Sequence, residues 1–195
     1  MPAPKALPKE VRIIGGQWKR TKLPVADRPG LRPTPDRVRE TLFNWLGHDL
    51  SGWRCVDAFA GTGALGLEAA SRGAAQVLLV EQDPALVSQL RALQLKLAAH
   101  AVSVRRGNGV SVLKQLATAS MDMVFLDPPF DAKLHETALK AALQAISPEG
   151  LIYLEAPDAW DDARLEAFGL ALRKHLRAGA VHAHLIARQQ AAPGS

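Results

Sequence analysis

The sequence predicts an α/β fold, a mostly parallel β-sheet with helices on both faces, closed by an antiparallel hairpin at its C-terminal end. Three observations predict it. Apolar runs alternate with amphipathic stretches from residue 53 onward, and the first run ends in a glycine-rich turn directly ahead of a helix. After residue 170 the apolar period falls to two, the spacing of an exposed strand pair.

The elements follow in order. Residues 1–10, rich in Pro, Ala and Lys without apolar periodicity, are expected to form a disordered lead. From Val11 to Pro24 two short runs flank Gly15-Gly16, which reads as a basic β-hairpin or clamp-like loop. The Pro/Arg-rich stretch Arg28–Pro35 then leads into a helix, with Thr34 as cap, Pro35 in the first position and Val38, Leu42, Trp45 and Leu46 as its apolar stripe. Residues 11–50 thus form a basic hairpin and helix, 51–188 the sheet domain, and 189–195 a disordered tail. Within the sheet domain, strands are expected at 53–59, 76–80, 102–105, 121–126 and 150–154, and helices at 64–71, 84–98, 110–117 and 134–146. Alternation at Leu170, Leu172, Lys174 and Leu176, resuming over 181–188, gives the final hairpin.

The chain has 195 residues, 48% of them hydrophobic, enough for one buried core without disulfides or metals. No run is long and apolar enough to span a bilayer, and Met1–Lys5 lacks a secretory apolar region, so a soluble, cytoplasmic monomer is expected. The single cysteine, Cys55, is expected to pack as a small hydrophobe. Net charge is +5, and residues 1–40 hold ten Lys/Arg against four acids. The excess charge therefore sits in the N-terminal fifth, a distribution suited to a polyanion. Arg12, Lys19, Arg20, Lys22, Arg32, Arg37 and Arg39 are the candidate residues for binding a nucleic-acid backbone. His48, His100, His135, His175, His182 and His184 show no metal-ligand constellation; His182 and His184 share a strand face without a third partner, and no metal is expected.

The first strand runs into Asp57-Ala58-Phe59-Ala60-Gly61-Thr62-Gly63-Ala64-Leu65-Gly66. Gly61, Gly63 and Gly66 fit a dinucleotide fingerprint, with Glu81 placed as its ribose-binding acid, so a nicotinamide-dependent oxidoreductase must be weighed. Asp57 argues against it, because a carboxylate there repels a pyrophosphate but suits the ammonium of a methionine-containing cofactor. Glu81 can accept from both ribose hydroxyls, Asp83 suits the cap of the next helix, and Asn108 is a candidate for the adenine edge or a plain turn former.

The fourth strand ends in Asp127-Pro128-Pro129-Phe130. Two prolines remove two backbone donors and keep the chain extended, so the Asp127 carboxylate and the Pro128 carbonyl can face one point. Two acceptors holding the N–H groups of an exocyclic amine aim its lone pair at an electrophilic methyl group, with no metal or strong base. Phe130 offers a stacking face worth about 1–3 kcal/mol per base. The base must be unstacked or in a loop to reach this site.

Arg12-Ile13-Ile14-Gly15-Gly16, the run Arg32-Pro33-Thr34-x-Asp36-Arg37-Val38-Arg39-Glu40-Thr41-Leu42-Phe43-Asn44, the glycine loop and the tetrad at 127–130 together resemble the bacterial RsmD family, over about residues 11–155. The resemblance implies a Rossmann-like class I methyltransferase with a seven-stranded sheet. It implies S-adenosyl-L-methionine held by Asp57, Phe59, Gly61, Gly63, Gly66, Glu81 and Asn108. It implies catalysis at Asp127, Pro128, Pro129 and Phe130 on the 2-amino group of a guanine in small-subunit (16S) ribosomal RNA, in the subunit or an assembly intermediate. Asp at 127 suits guanine, whose ring N–H gives an anionic acceptor a second donor where adenine presents an acceptor. The alternatives are an adenine amino methyltransferase on DNA or RNA, or a non-catalytic ribosome assembly factor.

Overall fold

The computed structural model describes residues 8–29 and 31–190; the rest of the expected lead and tail lies outside the described residues. Residues assigned to those ends are structured, beginning with Lys9, whose carbonyl accepts from the Val25 N–H at 2.9 Å. Glu10 opens the first strand, and the Gln189 N–H donates to the Gly169 carbonyl.

Strands β1 (Glu10–Arg12) and β2 (Lys22–Pro24) pair antiparallel as a small ribbon. Helix α1 (Asp36–Leu46) precedes the alternating body: β3 (Arg54–Asp57), α2 (Ala64–Ser71), β4 (Gln76–Glu81), α3 (Pro84–Lys96), β5 (Val102–Arg106), α4 (Gly109–Gln115), β6 (Met121–Leu126), α5 (Ala132–Ala145) and β7 (Ile146–Ala156). A short helix α6 (Asp162–Glu166) and the hairpin β8 (Leu170–Ala178) and β9 (Val181–Arg188) complete the chain.

The seven-stranded sheet has the order β5-β4-β3-β6-β7-β9-β8. Its first five strands are parallel, while β9 runs antiparallel to both β7 and β8. The chain builds outward from β3 to β4 and β5, then returns to lay β6 on the other side of β3. That reversal opens a crevice at the carboxyl ends of β3 and β6, where open α/β sheets bind ligands. Asp57 closes β3 and Asp127 follows β6, so the fold brings both predicted motifs to this crevice.

One apolar cluster joins Cys55, Leu67, Leu79, Leu90, Phe125 and Tyr153; the other joins Val56, Val124, Leu139, Ile152, Leu154 and Trp160 on the opposite sheet face. Val11, Ile13, Leu23, Val38, Leu42 and Phe43 belong to the first cluster, so the N-terminal hairpin and α1 share the core of the sheet domain. Cys55 is buried there as expected.

The hairpin lies on α2, and this contact explains Gly15-Gly16. A Cβ on Gly16 would stand 1.9 Å from the Ser71 carbonyl oxygen, and Gly16 has φ +76°. The glycines thus permit close backbone approach rather than a tight turn between the strands. All eight residues of α2 are buried as a result. Glu68, on the covered face, accepts from the Ile14 and Gly15 N–H groups at 2.8 Å each and from Arg72 Nε at 2.9 Å.

Arg39 corrects the sequence expectation of an RNA contact. Its side chain is fully buried, with the guanidinium donating to the carbonyls of Arg12 (2.7 Å) and Thr34 (3.2 Å) and lying 3.6 Å from Glu68. Arg39 is a structural tie between hairpin, α1 and α2. Thr34 also departs from its expected role: Pro35 is the N-cap of α1, and the Thr34 hydroxyl donates instead to Glu155, 121 residues away.

Candidate active site

Three carboxyl groups converge where β3, β6 and β7 end. In the parallel register Asp57 pairs with Phe125, Phe125 with Tyr153, and Leu126 with Leu154. One step further, Asp127 and Glu155 are neighbours on the same sheet face as Asp57.

Asp57 is 1% exposed. Its Oδ2 accepts from the Gly66 N–H at 3.0 Å, while its buried Oδ1 has no partner among the described residues. Burial pushes its pKa from 3.8 up to about 7; the Gly66 N–H and the nearby Phe59 main chain oppose that rise, and the nearby Glu81 and Glu155 add to it. A buried carboxylate oxygen without a donor is a costly arrangement that a cationic ligand group would relieve. Gly61 and Gly63 have φ +53° and +81°, conformations that let the loop turn beneath this carboxylate.

Glu81 is pre-set by the main chain. Its Oε2 accepts from Gly61 N–H at 3.0 Å, and its Oε1 accepts from the N–H groups of Gln82 and Asp83 at 2.8 and 2.9 Å. Asp83 caps α3 as expected, accepting from Ala85 and Leu86. Asn108 Oδ1 accepts from Ser111 N–H and caps α4, and the exposed side chain keeps its Nδ2 for the adenine edge. Phe59 is half-buried beside the core beneath that helix.

Asp127 is half-buried and Pro128 buried, while Pro129 and Phe130 are exposed. Burial drives the Asp127 carboxyl well above the usual range, with Glu155 and then Asp57 adding like charge. Phe130 is 54% exposed, one of two large hydrophobics so presented among the described residues, and its ring lies 6.5 Å from that of His135.

Glu155, Thr34, Tyr153 and His135 complete the site, and none of them stood among the sequence candidates. Glu155 is 3% exposed, and its Oε1 accepts from Thr34 Oγ1 and from Tyr153 Oη at 2.8 Å. His135 lies between the carbonyls of Asp131 (Nδ1, 2.6 Å) and Glu155 (Nε2, 3.0 Å), its single imidazole N–H donating to one of them, and so sits between the chain after the tetrad and β7. The usable signal was a lone acid ending the apolar run Leu151–Leu154.

The basic residues divide. Arg12, Lys19, Arg20, Lys22, Arg32 and Arg37 are exposed, with Lys22 paired to Glu10 at 3.0 Å and Arg20 held at φ +72° in the hairpin connection. Arg39 is the one that turns inward.

The histidines correct another expectation. Cross-strand pairing of His175 with His184 brings a third ring beside His182, and ligand atoms of all three lie within 4.8 Å of one another. His184 spends both nitrogens on the main chain, accepting from Trp160 N–H and donating to the Leu154 carbonyl at 3.0 Å each. His175 and His182 approach at 2.9 Å through Nε2 and Nδ1.

The sheet order and the strand-end carboxyl groups define the class, a Rossmann-like methyltransferase. The solved structure of the Escherichia coli protein yhhF, described as a methyltransferase, superposes with TM-score 0.79 at 42% identity, covering 92% of this chain and 98% of that one. The model of the family described as Conserved hypothetical protein 95 matches residues 11–187, and the chain belongs to this family, the RsmD family. The ribosomal RNA small subunit methyltransferase D of Escherichia coli K12 is 48% identical over 149 residues, 75% of each chain. Its counterpart from Haemophilus influenzae is 45% identical over 151 residues, covering 75% of this chain and 78% of its own.

Proposed function

We propose that the protein transfers a methyl group from S-adenosylmethionine to the exocyclic 2-amino group of a guanine in small-subunit ribosomal RNA. The observation that carries this reading is the juxtaposition, at adjacent strand ends, of the unpartnered buried oxygen of Asp57 with the Asp127–Phe130 tetrad. The relatives' activity on small-subunit ribosomal RNA supports the substrate class.

S-adenosylmethionine, when bound, supplies the electrophilic methyl group. Asp57 receives its ammonium, Gly61 and Gly63 admit its amino-acid part, and Glu81 takes the ribose hydroxyls. Asp127 and the Pro128 carbonyl accept from the amino group and orient its lone pair, and Asp127 also meets the guanine ring N–H. Phe130 stacks on the base, and its exposure leaves that face available. The exposed cations of the hairpin and of α1 hold the surrounding phosphates. Small subunits from a strain lacking its own such enzyme should take up label at a single guanine, whereas subunits already modified should take up none. Equal labelling of both would contradict the reading.

Asp57 makes the cofactor site pH-dependent. Its folded-state pKa lies above the unfolded value of 3.8, so the folded protein binds more protons between pH 4 and about 7. Ligand-free stability is therefore fullest at the acid end of that window and falls as pH rises through it. With about 1.4 kcal/mol per pH unit and about 2–4 °C per kcal/mol, Tm should drop by at least about 5 °C by pH 8. S-adenosylhomocysteine, whose ammonium satisfies the ionised carboxylate, should raise Tm more at pH 7.5 than at pH 5.5. A ligand shift independent of pH in calorimetry would count against Asp57 as the ammonium acceptor.

The hairpin cations set the salt dependence. Neutralising Lys19, Arg20 and Lys22 together should reduce the slope of log binding constant against log salt by about 2. An unchanged slope would remove the hairpin from the RNA interface.

A further inference from the structure

We infer that Glu155 is a positioning residue for Asp127: across the ends of β6 and β7 it holds the Asp127 carboxyl group and ties it, through Thr34, to the Arg32–Pro33–Thr34 segment. The inference rests on the methyl transfer proposed above and extends it to a residue outside both sequence motifs.

The geometry begins with the register. Leu126 and Leu154 are the last paired residues of β6 and β7, so Asp127 and Glu155 stand side by side on the crevice face. Glu155 is anchored from several directions. Thr34 Oγ1 and Tyr153 Oη both donate to its Oε1, and His135 Nε2 lies 3.0 Å from its backbone carbonyl. With Oε1 engaged by two donors, the Glu155 carboxyl group retains acceptor capacity for a proton held on the adjacent Asp127, one step beyond the Leu126–Leu154 pair.

The groups facing this pair decide where its proton resides. Two adjacent buried carboxyl groups do not both ionise readily. Glu155 has the donors of Thr34 and Tyr153 and the charge of Arg39 to favour its anion. Asp127 faces Asp57 and Glu155, both acids, and has no such support. Asp127 therefore carries the shared proton and donates to Glu155. The hydrogen bond fixes the Asp127 rotamer and sets the pH at which Asp127 becomes an acceptor for the substrate amine. Thr34 adds the link to the N-terminal segment: Arg32 is exposed toward solvent two residues before a hydroxyl that reaches the site. The chain that presents a cation to RNA thus also orients the acceptor carboxyl.

The test compares wild type, Glu155→Gln, Thr34→Val and Thr34→Ser, measuring kcat and KM for small subunits against pH. A parallel carboxyl-carbon NMR titration follows Asp127 without turnover. In Glu155→Gln the new carboxamide can still accept from Thr34 and Tyr153 but carries no charge, so Asp127 should ionise more readily. The acid limb of kcat and the Asp127 titration should both move down by about one pH unit or more, with a plateau kcat about 3-fold lower. Thr34→Val should lower kcat about 10-fold with little change in KM, and Thr34→Ser should restore it. A wild-type pH profile and Asp127 titration in Glu155→Gln would overturn the inference. If that variant does not fold, equal losses in Thr34→Val and Thr34→Ser, or a loss confined to KM, would overturn it. Absence of methyl transfer by the wild type is a separate outcome that defeats the proposed function, and the Asp127 titration still decides the pairing with Glu155.

Discussion

Replacing Asp127 by Ala should lower kcat for methyl transfer by about 10²–10³, the cost of removing a pre-positioned group that acts on charge developing in the transition state. The fold should not suffer. Burial and the neighbouring acids hold the Asp127 carboxyl well above its usual pKa, so its ionised form is a destabilising element in the ligand-free protein. Removing it should leave Tm at pH 8 unchanged or raised, and S-adenosylhomocysteine affinity within a few-fold of wild type, because the proposed ammonium acceptor is Asp57. Asp127→Asn separates the two candidate bases. A carboxamide accepts from the amino group as well as a carboxylate does, but its NH₂ would confront the ring N–H of guanine. The Asn variant should therefore lose most of its activity on guanine, approaching Ala. Stopped-flow or single-turnover transfer with saturating subunits reads kcat directly. An Asp127→Ala enzyme within about 3-fold of wild type would show that this carboxyl group does not position the amine.

The second large effect is on stability. Arg39→Ala should destabilise the protein by about 3–5 kcal/mol, the cost of removing one member of a buried ion pair. The main-chain acceptors of Arg12 and Thr34 would lose their donors, and Glu68 would keep only Arg72 and two N–H groups. With about 2–4 °C per kcal/mol for a chain of this size, Tm should fall by roughly 10 °C. Arg37→Ala, two residues away on the exposed face of α1, should change stability by no more than about 0.5 kcal/mol while weakening RNA binding at low salt. Thermal melts of the two variants separate the roles. A stable Arg39→Ala protein with weakened RNA affinity would return Arg39 to the interface.

These two residues show which features a sequence displays. The tetrad 127–130 and the loop 57–66 stand out in the sequence because each gathers its candidate groups into a few consecutive positions with local backbone requirements, and the fold brings both to one crevice. The alternating elements were legible for the same reason, and their boundaries differ from the structure by a few residues, as where β3 ends at Asp57 and the turn begins at Ala58. Arg39 and Arg37 look alike in a basic stretch; only the packing of α1 against Glu68 and the hairpin separates them. Glu68 reads as a solvated helix position, and it is buried because Gly15 and Gly16 let another segment lie on it. Glu155 and Thr34 are 121 residues apart, and nothing in either neighbourhood announces the other. The three histidines meet because β8 shifts register between Leu172 and Lys174, a bulge that simple alternation does not reveal. Contacts set by tertiary packing were thus the ones a periodicity and motif reading could not reach.

The most direct measurement is the identity of the methylated nucleoside. Small-subunit RNA labelled by the purified protein with methyl-labelled S-adenosylmethionine is digested to nucleosides and resolved by chromatography with mass detection. If Asp127 accepts from the amino group and ring N–H of guanine as proposed, N2-methylguanosine is the labelled product, lost in the Asp127→Ala protein. Label in N6-methyladenosine, or N2-methylguanosine formed equally by the Asp127→Ala protein, would contradict it.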